Sequence, residues 1–244
     1  MKKIFLQLIL SLMIIVPALA QEENQNEKSD QKKETKQTET LRPKIGISFS
    51  VGGVLPHLQF SEMTKETSAI VPGRNTLGSC GNAMFGASIG LKYKYTIKNK
   101  EGKSTGCGFF IASDLFWNPM KKAIREMYDT IKCTAPTYAN IPVTVGFNYT
   151  SEFSSNFGVW VEAGAGVDVL YKTPEGWDGQ TTEYKFNAAF AAQGGVGVIF
   201  ARTISLGAHY YWLGKHDIVE DRTDAPFSDS MKMGAWVFKL GFHF

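Results

Sequence analysis

The chain has 244 residues, a formal net charge of +3 and 43% hydrophobic residues. Without Lys2 and Lys3 of its leader it is close to neutral, so nothing in its charge suggests a nucleic-acid partner. No stretch after the leader is continuously apolar for the ~18 residues of a spanning helix, which leaves a soluble domain or a β-barrel.

The leader is MKKIFLQLILSLMIIVPALAQ. Lys2 and Lys3 form a basic start, Ile4 to Val16 an apolar run, and Ala18-Leu19-Ala20 a small-x-small cleavage site. The apolar run is short for a membrane anchor, which needs ~20 apolar residues. No cysteine follows the site to take a lipid. Residues 1–20 are therefore expected to be a signal peptide. Residues 22–41, EENQNEKSDQKKETKQTETL, hold almost nothing apolar and cannot bury enough surface to order themselves. The expected layout is a signal peptide (1–20), a periplasmic tether (21–43) and one domain (44–244).

From Ile45 onward the chain alternates with period two, as strands with two environments do. Residues 44–53 set Ile45, Ile47, Phe49 and Val51 against Gly46, Ser48, Ser50 and Gly52. Residues 83–97 set Phe85, Ile89, Leu91, Tyr93 and Tyr95 against Ser88, Gly90, Lys92 and Lys94. In 106–117, Ser113 interrupts the Phe109, Ile111, Leu115 face. Residues 138–150, 157–171, 186–200 and 203–212 repeat the pattern. In the last segment Trp236, Phe238, Leu240, Phe242 and Phe244 share one face. The polar faces are rich in Gly and Ser, with few of the Lys and Glu that cover a water-exposed sheet. Small polar residues suit the narrow inside of a closed barrel. The fold expected is all-β: an eight-stranded antiparallel transmembrane β-barrel.

The gaps support this. They run 54–82, 98–105, 118–137, 151–156, 172–185, 201–202 and 214–233, long and short in alternation, as long outer loops and short periplasmic turns require. With odd strands running outward, Trp117, Tyr171, Trp212 and Trp236 fall at the outer rim. Tyr93, Tyr95, Tyr149, Phe157, Phe200 and Phe244 fall at the inner rim. Two aromatic belts mark the two headgroup levels.

The stretches YANIPVTVGFNY, VWVEAGAGVDVLY and GGVGVIFARTISLGAHYYW resemble the Bacteroidetes-type outer-membrane β-barrel domain, itself similar to the small barrels of outer-membrane proteins A and X. The ending WVFKLGFHF resembles a barrel-assembly signal, carried by Trp236, Phe238, Leu240, Phe242 and Phe244. The resemblance implies the outer membrane of a Gram-negative bacterium and dependence on the barrel-assembly machinery. It says little about function. Asp129-Thr130-Ile131 and Asp229-Ser230-Met231 are similar to Bacteroidetes O-glycosylation tripeptides.

No catalytic motif is present. His57, His209, His216 and His243 lack metal-ligand spacing; His57 and His216 are expected in outer loops, His209 and His243 on lumen faces. By analogy with small barrels that acylate or deacylate lipid A, His57, Ser113 and Asp114 are the one candidate catalytic group. Asp217, Glu220, Asp221, Asp224 and Asp229 make loop 214–233 acidic, with solvated carboxylates the default over a cation site. Residues 119–131 could form a short helix over the barrel mouth. Inside, Lys92, Glu162 and Lys239 share a height and an inward parity, so Glu162 is expected within salt-bridge distance of Lys92 or Lys239, in a network where the two lysines flank it. Asp114 and Asp168 sit nearer the outer rim, with room for Lys94, His209 or waters to join in. Cys80 and Cys133 are expected to bridge, Cys107 to be free. Strands two spacings apart lie ~9–10 Å from each other and a disulfide needs Cα atoms within ~7 Å, so the two loops must lean together.

The function expected is a non-enzymatic integral outer-membrane protein with a structural or surface-interaction role through its loops. It would be a monomer in outer-membrane lipid, with no cofactor, no metal and an unidentified surface ligand. The alternatives are a lipid A-modifying enzyme or a small diffusion pore.

Overall fold

A computed structural model describes residues 45–62, 81–98, 104–130, 132–154, 156–173, 175–177, 180–182, 187–220 and 227–244. The expected signal peptide, the tether and Cys80 lie outside the described residues. Of the two units, Met1–Ile45 and Gly46–Phe244, the second is the barrel.

Eight strands close on themselves. They are β1 (Ile45–Leu58), β2 (Gly86–Lys98), β3 (Ser104–Pro119), β5 (Thr137–Ser154), β6 (Phe157–Lys172), β9 (Asn187–Phe200), β10 (Ile204–Glu220) and β11 (Phe227–His243). Each pairs antiparallel with its neighbours in the ring β1-β11-β10-β9-β6-β5-β3-β2. The closing ladder runs from Ser48↔His243 to Leu58↔Met233. Closure removes every free edge, the condition for strands in lipid, where an unpaired backbone group has no water to bind.

The alternation becomes two surfaces. In β3, Phe110, Ala112, Asp114 and Phe116 are buried, while Phe109, Ile111, Ser113, Leu115 and Trp117 face out. Large apolar side chains cover the outside, with Phe147 66% and Phe238 55% exposed. An apolar band of that extent suits hydrocarbon and would not suit water. The strands are 13 to 18 residues long, beyond the ~9–11 residues of a tilted spanning strand, so they rise past the band at the outer end.

Three connections, β2–β3, β5–β6 and β9–β10, lie at the inner end. Ala201 and Arg202, both with positive φ (47° and 62°), form with Thr203 the three-residue connection between the paired residues Phe200 and Ile204, and the Thr203 N–H donates to the Phe200 carbonyl (3.1 Å). Phe244 closes the wall there: its N–H donates to the Ile47 carbonyl (2.9 Å), and the Ile47 N–H donates to the Phe244 carbonyl (3.2 Å). Deleting Phe244 is expected to reduce insertion into membranes, read as a smaller fraction of heat-modifiable protein on gels. An undiminished fraction would mean the last residue is not part of the assembly signal.

The outer end departs from the sequence reading. Loop 214–233 is mostly paired strand: β10 runs to Glu220, β11 starts at Phe227, and their register continues from Lys215↔Lys232 to Glu220↔Phe227. A β-bulge between Trp212 and Gly214 hides this. Gly214 takes φ +80°, and alternation resumes with opposite parity: Leu213 and His216 are buried, Lys215 and Asp217 exposed. His216 is therefore an interior residue of β10. His57 likewise lies in β1 rather than in a loop.

The connection after β3 forms a helix, α1 (Lys122–Thr130), within the 119–131 segment read from sequence. Ile124 and Tyr128, one turn apart on one face, are buried. Lys132 ends it with φ 54°. Next come the short strands β4 (Cys133–Thr134), β7 (Glu175–Trp177) and β8 (Gln180–Thr182), which pair as a three-stranded sheet.

Candidate functional site

The inside of the barrel changes chemistry along its axis. At the inner end His243 bridges two serines, Ser48 Oγ and Ser205 Oγ, each 2.8 Å from a ring nitrogen. Lys94 Nζ donates to Thr150 Oγ1 (3.0 Å). Small side chains leave room for a large one here. The Trp160 indole rests against Gly197 and Gly207, where a Cβ on either glycine would collide with the ring.

The middle of the lumen holds two ion pairs. Lys92 Nζ lies 2.6 Å from both Glu162 oxygens and over the rings of Phe110 (5.1 Å) and Trp160 (5.6 Å). His209 Nδ1 stands 3.4 Å from Glu162 Oε1, outside hydrogen-bond geometry. Of the two lysines expected around Glu162, Lys92 binds it and Lys239 does not, so the flanking by both fails. Lys239 Nζ donates to Asp114 Oδ1 (2.6 Å) and to the Tyr211 hydroxyl (2.8 Å), and that hydroxyl donates to Asp114 Oδ2 (2.7 Å). Glu162 therefore has one lysine, and Asp114 the other. Pro142 stands in β5 opposite Asp114, and the β3–β5 ladder skips Asp114 and Leu115 there, because proline has no N–H to donate.

Asp168 belongs to neither pair. It is fully buried; its Oδ2 accepts from Asn140 Nδ2 (2.7 Å) and lies 2.9 Å from His216 Nε2. Because His216 Nε2 also faces the Leu213 carbonyl at 2.9 Å, that nitrogen carries the proton. Around this cluster the outer half of the lumen is apolar. Val54, Phe60, Phe116, Met120, Tyr138, Leu170, Leu213, Met231 and Met233 pack with Ile124 and Tyr128 of α1 in one cluster.

The candidate catalytic group is not assembled. His57 faces outward and bonds Tyr210, with Nδ1 3.2 Å from the hydroxyl. Ser113 is exposed on the outer face of β3, and Asp114 points inward to Lys239 and Tyr211. Among the described residues no group of three or more His, Cys, Asp or Glu could hold a metal. Of the acidic loop, Asp217 is exposed on β10, while Asp221 and Asp224 lie outside the described residues. Thr130 Oγ1 donates to the Glu126 carbonyl (2.8 Å); Ile131 lies outside the described residues. Met231, third in the second tripeptide, is fully buried. Cys107 is a free, exposed thiol and Cys133 is buried; the Cys80–Cys133 bridge falls outside the described residues because Cys80 does.

Tyr211, His216 and Asn140 have no motif in the sequence. Gly214 within an alternating run is the one signal of a bulge, and reading it would have turned His216 inward.

No protein-family model matches the chain, and neither does any curated protein. Among solved structures, Neisserial surface protein A is similar at 11% identity and a TM-score of 0.49, covering 82% of this chain and 95% of its own. The outer membrane protein OprG from Pseudomonas aeruginosa is similar at 10% identity and a TM-score of 0.43, covering 84% and 97%. The outer membrane enzyme PagL is similar at 13% identity and a TM-score of 0.32, covering 82% and 98%. The chain has the architecture of the small eight-stranded outer-membrane barrels, an assignment that stands on its strand register and apolar band.

Proposed function

We propose that the protein is a structural, non-enzymatic barrel of the Gram-negative outer membrane, which closes its own lumen and meets other molecules through its outer end. The observation that carries this reading is the interior cluster at the outer half. Ile124 and Tyr128 of α1 pack with Phe60, Phe116, Met120, Met231 and Met233 where a pore would need water. An eight-stranded barrel is only wide enough for its interior to be filled by side chains. Below that plug, Lys92 with Glu162 and Lys239 with Asp114 neutralise one another.

The enzyme reading lacks converging groups, since His57, Ser113 and Asp114 point to different surroundings. The full chain, inserted through the assembly machinery as a monomer, is expected to give no stable single-channel steps in planar bilayers. Defined conductance would favour the pore. Lipid A from a deletion strain is expected to keep its acyl pattern by mass spectrometry; an altered pattern would favour the enzyme.

A further inference from the structure

At the outer rim, outward-facing residues of β1, β11 and β10 lie in successive rows. The lowest is Leu55, Trp236 and Tyr210; next come His57, Gly234 and Trp212; above them Lys232 faces Lys215. The Tyr210 and Trp236 rings are 4.9 Å apart, and His57 meets Tyr210 edge-on at 5.8 Å. Gly234 gives up its side-chain space to its neighbours: a Cβ there would lie 2.9 Å from the Tyr210 hydroxyl and 3.3 Å from Leu58 Cδ1.

The two lysines are the unexplained feature. Directly opposed residues in an antiparallel pair have Cβ atoms ~4.5–5.5 Å apart, and like charges so placed repel. Both side chains are exposed, and neither ammonium forms an ion pair with a described residue. Asp217 follows one row further out, opposite Ser230. The lysines stand immediately above an aromatic row, the level at which lipid headgroups meet a barrel wall.

From this arrangement we infer that Lys215 and Lys232, with the Tyr210–His57–Trp212–Trp236 patch below them, bind the phosphate-bearing headgroup of a glycolipid in the outer leaflet. A phosphate oxygen between two ammonium groups removes their repulsion and accepts charge-assisted hydrogen bonds. The aromatic faces and the two polar rings suit an attached sugar, whose C–H face stacks while its hydroxyls bond. The inference rests on the outer-membrane reading above.

The test uses the full mature chain in phosphatidylcholine nanodiscs, with retained lipid read by native mass spectrometry. The probes are diphosphoryl lipid A, dephosphorylated lipid A, phosphatidylglycerol and inorganic phosphate. Diphosphoryl lipid A is expected to be retained. Removing its phosphates, or making the double variant Lys215→Gln/Lys232→Gln, is expected to weaken retention about tenfold or more. Equal retention by the double variant, or by dephosphorylated lipid A, would overturn the site. Phosphatidylglycerol retained as well as lipid A would overturn the glycolipid as its ligand, and inorganic phosphate binding alone would do the same. Heat-modifiable migration of each sample separates the two readings. A folded, inserted barrel indifferent to both lysines refutes this site only, whereas a chain that never inserts refutes the membrane reading beneath it.

Discussion

Asp114→Ala is expected to lower the unfolding free energy by about 3–5 kcal/mol, the cost of breaking a buried ion pair from one side. Lys239 and Asp114 are almost wholly buried, and Lys239 Nζ has two oxygens, Asp114 Oδ1 and the Tyr211 hydroxyl, within 2.8 Å. Without the carboxylate the ammonium keeps only the phenol and the Tyr211 ring face, at 5.0 Å from its centroid. The measurement is a urea titration of the barrel in lipid vesicles, followed by tryptophan fluorescence. The double variant Asp114→Leu/Lys239→Met is expected to recover most of the loss, because both desolvated charges go together. A loss for Asp114→Ala below about 1 kcal/mol, the range of exposed pairs, would mean that water reaches Lys239 and that the lumen is wet.

Phe116→Ala is expected to cost a similar amount, about 3–5 kcal/mol, for a different reason. Phe116 is fully buried, and its ring meets Tyr211 in a T-shaped contact at 4.9 Å. Removing it loses the apolar transfer term and leaves a cavity between the charged layer and the plug. Phe116→Leu, which fills most of that volume, is expected to lose clearly less. The same titration gives both values. Equal losses for Ala and Leu would mean that ring geometry, rather than volume, sets the stability of the outer half.

The wall of the barrel was legible because lipid and lumen impose period two over long stretches. Phe109 and Phe110 could be assigned to opposite faces without coordinates, and their burial agrees. The inward parity of Lys92, Glu162, Lys239, Asp114 and Asp168 followed from the same rule. Which carboxylate each lysine takes did not follow. Partner choice across a lumen depends on strand tilt and stagger, and counting from the inner ends is too coarse to separate Glu162 from Asp114 as partners of Lys239. The outer end is poorly legible for a local reason. One glycine with positive φ inverts the alternation of β10, so in the sequence a continuing strand resembles the start of a loop and His216 a loop residue. The plug was hidden for another. Phe60, Met120 and Tyr128 come from connections with no shared period, and only the fold brings them to Met231 and Met233.

The two lumenal ion pairs also bear on the order in which the barrel can be made. Each joins strands far apart in the chain, Lys92 with Glu162 at a separation of 70 residues and Asp114 with Lys239 at 125. Lys239 lies on the last strand to be synthesised. Until β11 docks, Asp114 in β3 has no cation, and an uncompensated carboxylate cannot leave water cheaply. A sheet of seven strands therefore keeps a hydrated inner face, and drying of the interior coincides with the β1–β11 ladder zipping shut. Closure is then a single commitment step: the half-made barrel remains open and reversible, and arrival of the final strand removes the water and the way back together.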